Sequence, residues 1–197
     1  MSKPGKENAA SERLFTAVRL PQHLQEQVKV WRDGIKRTMS FRTWTDPRDY
    51  HITLQFMGDV DINTIPNVTD ALKEAAAKCG SFQLRLGGAG TFGRPAFPRV
   101  LWRGVEGDRD MLKLLQKTVA DHTMPLGFVP EERPYSPHIT IARSYTGSGP
   151  AEPIPDHEND GSDSSWTVAD FVLFATRFGR KPMYEILQTF PIPYSRP

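Results

Sequence analysis

A chain of 197 residues is long enough for one sizeable hydrophobic core, and 38% hydrophobic with 24% charged residues is an ordinary globular balance. A net charge of +2 argues against a large non-specific DNA-coating surface, while leaving RNA and small anions open as partners. A single cysteine, Cys79, excludes an intrachain disulfide and a cysteine-based zinc site.

Residues 1–12 are polar and read as a flexible tail, not a secretory signal. No apolar run approaches the ~18 residues of a membrane helix, so a soluble, cytoplasmic protein that engages no membrane is expected. Residues 14–20 (LFTAVRL) predict a first strand, and Pro21 suits entry to a helix. Leu24, Val28, Trp31, Ile35 and Met39 then fall on one helical face. Residues 41–45 predict a short strand before the turn at 46–49. In residues 51–56 (HITLQF), Ile52, Leu54 and Phe56 alternate with His51, Thr53 and Gln55, and Gly58-Asp59 is expected to end that strand. Asn63 or Thr64 would cap a second helix carrying Ile65, Val68, Leu72 and Ala76, which stops at Gly80.

Residues 82–86 predict another strand, and the glycine- and proline-rich 87–99 (GGAGTFGRPAFPR) predicts a loop. Residues 100–105 return to strand, and 108–122 predict a third helix with Met111, Leu114, Leu115, Thr118 and Val119 on its buried face. Residues 123–137 are irregular. Residues 138–142 then repeat the earlier pattern, with Ile139 and Ile141 inward and His138 and Thr140 outward. The polar, acidic stretch 144–165 predicts a mobile loop, and 166–174 and 184–190 close the chain as strands. The fold class expected is α+β. It is bilobal, with two pseudo-symmetric, mostly antiparallel sheets facing a central cleft and helices packed outside. The domain organisation expected is a tail at 1–12 followed by one bilobal domain at 13–197.

The chemistry lies in the repeat. His138 follows His51 by 87 residues, and each histidine is followed by isoleucine, threonine and an aliphatic residue. Within a strand, residues i and i+2 share a face, so each His–Thr pair sits about 6.6 Å apart and can touch one small anion. One such pair is ordinarily just the polar face of a half-buried strand. Two pairs facing each other supply an acid and a base that titrate near neutrality, one on each side of a phosphate. The threonine hydroxyls would then hydrogen-bond non-bridging oxygens, and no metal or other cofactor is required. A zinc site is disfavoured, because the two strands offer two histidines and no carboxylate on the same face. No Gly-x-Ser-x-Gly elbow supports a serine hydrolase, and no Gly-Lys-Ser/Thr follows Gly87-Gly88-Ala89-Gly90 to make a phosphate loop.

These motifs resemble the 2H phosphoesterase superfamily. LFTAVRLP, YHITLQFMGDV, GAGTFGRPAFPRVLWRGV, RPYSPHITIAR and the closing FVLFATRF…YEILQTFPI are similar to its RNA 2′,3′-cyclic phosphodiesterase branch, also called the 2′-5′ RNA ligase family, over residues 13–192. The resemblance implies metal-independent hydrolysis of an RNA-terminal 2′,3′-cyclic phosphate to a 2′-phosphate, with reversible 2′-5′ joining of RNA as an associated activity. It implies His51 as the proton donor to the departing 3′ oxygen and His138 as the proton acceptor. The labels reverse with the direction of reaction. Thr53, Thr140 and Arg143 are implied to bind phosphate, although strand parity puts Arg143 off the face of His138 unless the strand bends. Gln55 and Met57 stand where lysine and leucine are frequent in the family, and a missing lysine would weaken affinity for RNA phosphates. RNA ends or oligonucleotides bearing a 2′,3′-cyclic phosphate are the expected partners, and a monomer is expected.

Tyr135 and Phe92 lie in predicted loops, where stacking on a base competes with ordinary loop packing. Arg94 and Arg99 could meet an RNA backbone or simply face solvent. His23, His122 and His157 are given no catalytic role, and Cys79, Trp31 and Trp166 read as structural. A non-catalytic RNA-end or nucleotide-binding module is the alternative, as is a phosphodiesterase for small cyclic nucleotides or 2′-5′ oligonucleotides, because the motif defines the phosphate site alone.

Overall fold

Two buried isoleucines, Ile52 and Ile139, join the halves of the molecule. In this computed structural model, which describes residues 10–154 and 164–194, they form the one Cα-partnered pair between the two motif strands. The strands are β1 (Ser11–Arg19), β2 (Phe41–Trp44), β3 (His51–Asp61), β4 (Phe82–Arg94), β5 (Phe97–Gly107), β6 (Ile139–Tyr145), β7 (Ser165–Val168), β8 (Asp170–Thr176) and β9 (Tyr184–Pro191). The helices are α1 (Gln22–Ile35), α2 (Ile65–Ala77) and α3 (Arg109–Thr123). The strands form one antiparallel sheet in the order β7-β4-β5-β6-β3-β1-β8-β9, with β2 also on β6. The two half-sheets thus meet at the β3–β6 contact. β7 edges one end of the sheet and β8 lies near the other, yet only Ala169 separates them in sequence. That short connection requires a strongly curled sheet, which the amide of Ile192 reinforces by donating to the Ala169 carbonyl (2.8 Å). The fold is the expected α+β class.

One face of the sheet carries the helices. Leu24, Val28, Trp31 and Ile35 of α1 are buried as their spacing predicts, and Met39 joins the core just beyond the helix. Val68, Leu72 and Ala76 of α2 are buried as well. α3 differs from expectation: it buries Leu112, Leu115, Val119, Ala120 and Thr123, while Leu114 is 47% exposed. Two overlapping helical stripes exist in this sequence, and packing against α2 and β3 selects one of them. Thr123 fixes the choice, because its hydroxyl donates to the Gln55 side chain on β3 (2.7 Å).

β1 explains why the opposite face is also covered. Leu14 and Val18 belong to the core under the helices, whereas Phe15 and Ala17 pack with Val172, Phe174 and Tyr184 in a second cluster. A strand buried on both faces reads as a continuous apolar run, as LFTAV does.

Several boundaries depart from expectation. β1 begins at Ser11, inside the stretch read as tail, and residues 1–9 lie outside the described residues. β3 runs through Gly58 and Asp59 to Asp61, because Gly58 adopts a left-handed φ of 73° that keeps the strand going. The segment 166–174 is two strands, not one, broken at Ala169 where the chain passes between the two ends of the sheet. Of the expected mobile loop 144–165, Ser144 and Tyr145 are strand, Ser165 opens β7, and residues 155–163, including His157, lie outside the described residues.

The largest correction concerns residues 87–99, which form the distal half of a long β4–β5 hairpin turning at Pro95-Ala96. The glycines serve packing here, not a loop. A Cβ on Gly90 would lie 2.4 Å from the Trp102 ring, so only glycine lets that indole lie across β4. Gly87 and Gly88 span a register slip between the strands. Gly90→Ala is expected to destabilise the fold by about 1–3 kcal/mol. Gly88→Ala, with open space around its Cβ, should stay within about 0.5 kcal/mol of wild type. Urea midpoints at constant slope distinguish the two.

Candidate active site

The two motif strands carry the same irregularity at the same place. Against β1, the register of β3 slips one residue at Leu54, three positions after His51. Against β5, the register of β6 slips at Ile141, three positions after His138. Each slip is a bulge that buries two successive residues, Leu54 and Gln55 in one strand and Ile141 and Ala142 in the other. Beyond it, side-chain parity reverses. Gln55, expected on the outer face, is buried, and its amide donates to the Phe128 carbonyl (3.0 Å). Phe56, expected in the core, is 58% exposed. Gln55 is thus largely turned into the molecule. On β6 the bulge brings Arg143 back to the face of Thr140, and its guanidinium lies 3.5 Å from the Thr140 hydroxyl. The bend that strand parity demanded is present.

The β3–β6 pairing places the four motif residues. With Ile52 opposite Ile139, one step in either direction sets His51 across from Thr140 and Thr53 across from His138. All four lie on the face away from the helices. The histidines are diagonal neighbours, which on a regular antiparallel ladder are about 7–8 Å apart.

Both rings are held alike. His51 Nδ1 lies 2.6 Å from the carbonyl of Asp49, and His138 Nδ1 lies 2.7 Å from the carbonyl of Ser136. A carbonyl can only accept, so each Nδ1 bears hydrogen and each Nε2 is left for the cleft. Both contacts reach back two residues, an echo that the local sequences RDYH and YSPH do not share.

The surroundings differ. His51 is boxed by Phe15 (5.0 Å between ring centroids), Tyr184 (5.2 Å) and Phe174 (5.8 Å). Burial in this box pushes its pKa down to about 4, against the opposing pull of the Asp49 carbonyl, with smaller contributions from Arg143 and His138. His138 meets only the edge of Phe92 (4.9 Å), and burial followed by Arg143 lowers its pKa as well. Arg143 thus makes its charge felt at both histidines.

Asp49 ties these parts together. Its carboxylate accepts from the amides of Met183 (2.8 Å) and Tyr184 (3.1 Å), while its carbonyl holds His51. Burial raises the pKa of this carboxyl in spite of the two amide donors. Tyr135, considered for base stacking, donates its hydroxyl to the Thr53 carbonyl (3.0 Å) and so pins the segment before β6 across β3. Burial raises its pKa. Phe92, Arg99, Arg133, Tyr135, His138 and Arg143 line one cavity of about 680 Å³. Arg94 is exposed and does not line it. His23 is exposed, His122 Nδ1 contacts the Thr118 carbonyl of its own helix (2.7 Å), and Cys79 is buried. Among the described residues no group of three or more His, Cys, Asp or Glu could hold a metal ion, and no helix is long and apolar enough to cross a membrane.

The sequence pattern does not disclose the aromatic box, the Asp49 clamp or Arg133. Phe15 and Phe174 are visible there only as members of apolar strands. The one available signal was that LFTAV is apolar at both parities, which requires something to cover the cleft face of β1.

Two diagonal histidines with bare Nε2 atoms, flanked by threonines and an arginine on a curled antiparallel sheet, define a two-histidine phosphoesterase type of site. The comparisons agree, and the chain belongs to the 2′-5′ RNA ligase superfamily, whose profile matches residues 20–179. It is 35% identical over 178 residues to the RNA 2′,3′-cyclic phosphodiesterase of Geobacillus stearothermophilus, covering 90% of this chain and 56% of that one. The chain therefore spans little more than half the length of that relative. It is 32% identical over 155 residues to the Bacillus subtilis protein of the same name, covering 78% and 82% of the two chains. The crystal structure of Escherichia coli LigT complexed with 3′-AMP superposes with a TM-score of 0.77 at 26% identity, covering 93% of this chain and 99% of that one.

Asp49→Ala is expected to leave two partly buried amides without their acceptor, costing about 1–3 kcal/mol of stability. It also frees Tyr184 from His51. Asp49→Asn keeps one acceptor oxygen and should lose less. Denaturant unfolding of both variants checks the order.

Proposed function

We propose that this protein is an enzyme that hydrolyses the 2′,3′-cyclic phosphate at an RNA end to a 2′-phosphate by two-histidine acid–base catalysis without a metal. The observation that carries the reading is the matched pair of Nδ1-anchored imidazoles placed diagonally across the β3–β6 junction. A phosphate between them has one Nε2 on each side, as in-line displacement requires. His138 Nε2 takes a proton from water, the water oxygen bonds to phosphorus, and the P–O3′ bond breaks. His51 Nε2 gives its proton to the departing 3′ oxygen. Thr53, Thr140 and Arg143 hold the non-bridging oxygens, and Arg143 offsets the charge that builds in the transition state. With the same roles, a 5′-hydroxyl in place of water would make a 2′-5′ linkage, and with the roles reversed that linkage would be cleaved back to the cyclic phosphate.

The donor must be charged before it can act. In the protein alone, burial favours the neutral form of His51. A bound phosphate anion reverses this, since an opposite charge in a poorly solvated pocket favours the imidazolium strongly. Substrate therefore loads the donor. Because both histidines are lowered in the free protein, the optimum of kcat/KM should fall below about pH 6.5, the ordinary histidine value. The optimum of kcat, which reports the bound state, should lie higher.

The test is conversion of a short RNA ending in a 2′,3′-cyclic phosphate, with EDTA present. Wild type should yield the 2′-phosphate, and His51→Ala or His138→Ala should each lose about 10²–10⁴-fold in kcat. Full activity in both variants would refute the two-histidine mechanism. Binding without turnover in wild type would favour a recognition module.

A further inference from the structure

The cavity beside His138 is larger than the reaction needs. At about 680 Å³ it falls well within the range of pockets that enclose whole organic ligands, roughly 300–1,000 Å³. Of the motif residues Thr53 and His138 line it, together with Arg143, so the phosphate site borders one end of it. The rest runs between the β4–β5 hairpin and the segment preceding β6, and carries two further arginines, Arg99 and Arg133.

Both arginines are placed by structure around them. In the β4–β5 ladder Phe92 pairs with Val100 and Gly93 with Pro98, which leaves Arg99 as the extra residue of a bulge. A bulge re-aims its side chain out of the strand's alternation. Val100 pairs in turn with Arg143 across β5–β6, so Arg99 stands one residue from the cross-strand partner of the phosphate-site arginine. Arg133 lies on the opposite wall. Its segment is fixed at two points by β3, through the Gln55 amide on the Phe128 carbonyl and the Tyr135 hydroxyl on the Thr53 carbonyl. Both arginines are exposed, and neither figures in an ion pair among the described residues. Glu131 is the acid on the same walls, so the lining stays cationic. Phe56 and Phe92, both lining the cavity, add aromatic surface between. Cationic walls interleaved with aromatic rings are what a single nucleic-acid strand requires.

Resting on the activity proposed above, we infer that Arg99 and Arg133 form a subsite for the phosphodiester next to the reacting cyclic phosphate. The substrates are then oligonucleotides ending in that group, in preference to free cyclic mononucleotides.

The test compares 2′,3′-cyclic AMP with a diadenosine dinucleotide ending in the same cyclic phosphate, in wild type and in the Arg99→Gln/Arg133→Gln double variant. Wild type should favour the dinucleotide in kcat/KM by about 10-fold or more, as expected for one charge-assisted phosphate contact. The double variant should bring that ratio near one through KM. The salt dependence of the dinucleotide KM should flatten, each lost phosphate contact removing about 0.7 from the log–log slope. The two side chains are exposed, so an unchanged melting curve separates this effect from misfolding. Equal efficiency of wild type on both compounds would overturn the subsite and leave the hydrolytic reading intact, as would a preference that survives the double variant. Failure of wild type to turn over either compound would overturn both.

Discussion

The contact between Ile52 and Ile139 is the constraint on which the rest depends. It is a single step of antiparallel pairing, buried under the helices, yet it joins two half-sheets into one and sets the register of both motifs. Because side chains alternate across a strand, putting both isoleucines into the core forces the flanking histidines and threonines onto the other face. A slip of one residue would send all four into the hydrophobic core. The geometry of the candidate site and core packing are thus the same fact seen from two faces of one sheet.

The halves are similar in construction and unlike in environment. Each has a histidine anchored by the carbonyl two residues earlier, a threonine, and a bulge three residues after the histidine. At the fifth residue after the histidine the symmetry breaks: Phe56 on one side, Arg143 on the other. One histidine is enclosed by Phe15, Phe174 and Tyr184, while the other borders an open, cationic cavity. Two chemically identical side chains thereby acquire different proton affinities, and a duplicated motif can serve two different roles. Enclosure also amplifies the effect of a bound anion, since charges interact more strongly where water is excluded.

Much of this was legible in the sequence. Strict alternation placed Ile52, Leu54, Ile139 and Ile141 in the core, and the doubled His-x-Thr marked the two strands that meet at the β3–β6 junction. Helix faces followed from spacing except in α3, where two stripes compete and only the partner surfaces decide. What could not be read were features that depend on a neighbouring strand. A bulge is defined by the strand opposite, so the reversed parity of Gln55, Phe56 and Arg143 is invisible in one strand alone. The glycines of the β4–β5 hairpin look like a loop because the residue that requires them, Trp102, lies across the ladder from Gly90. The box around His51 draws on β1, β8 and β9, and the Asp49 clamp spans 134 residues of sequence to Met183.

The central claim is that both imidazoles present a bare Nε2 to one shared phosphate. Long-range proton–nitrogen NMR of the histidine rings, recorded without and with 2′-AMP, tests it most directly. The account predicts neutral Nδ1–H tautomers for His51 and His138 at pH 7 in the free protein, and protonation or a strong Nε2 shift at both rings when the nucleotide binds. An Nε2–H tautomer at either ring, or a nucleotide that perturbs one histidine and leaves the other untouched, would contradict it.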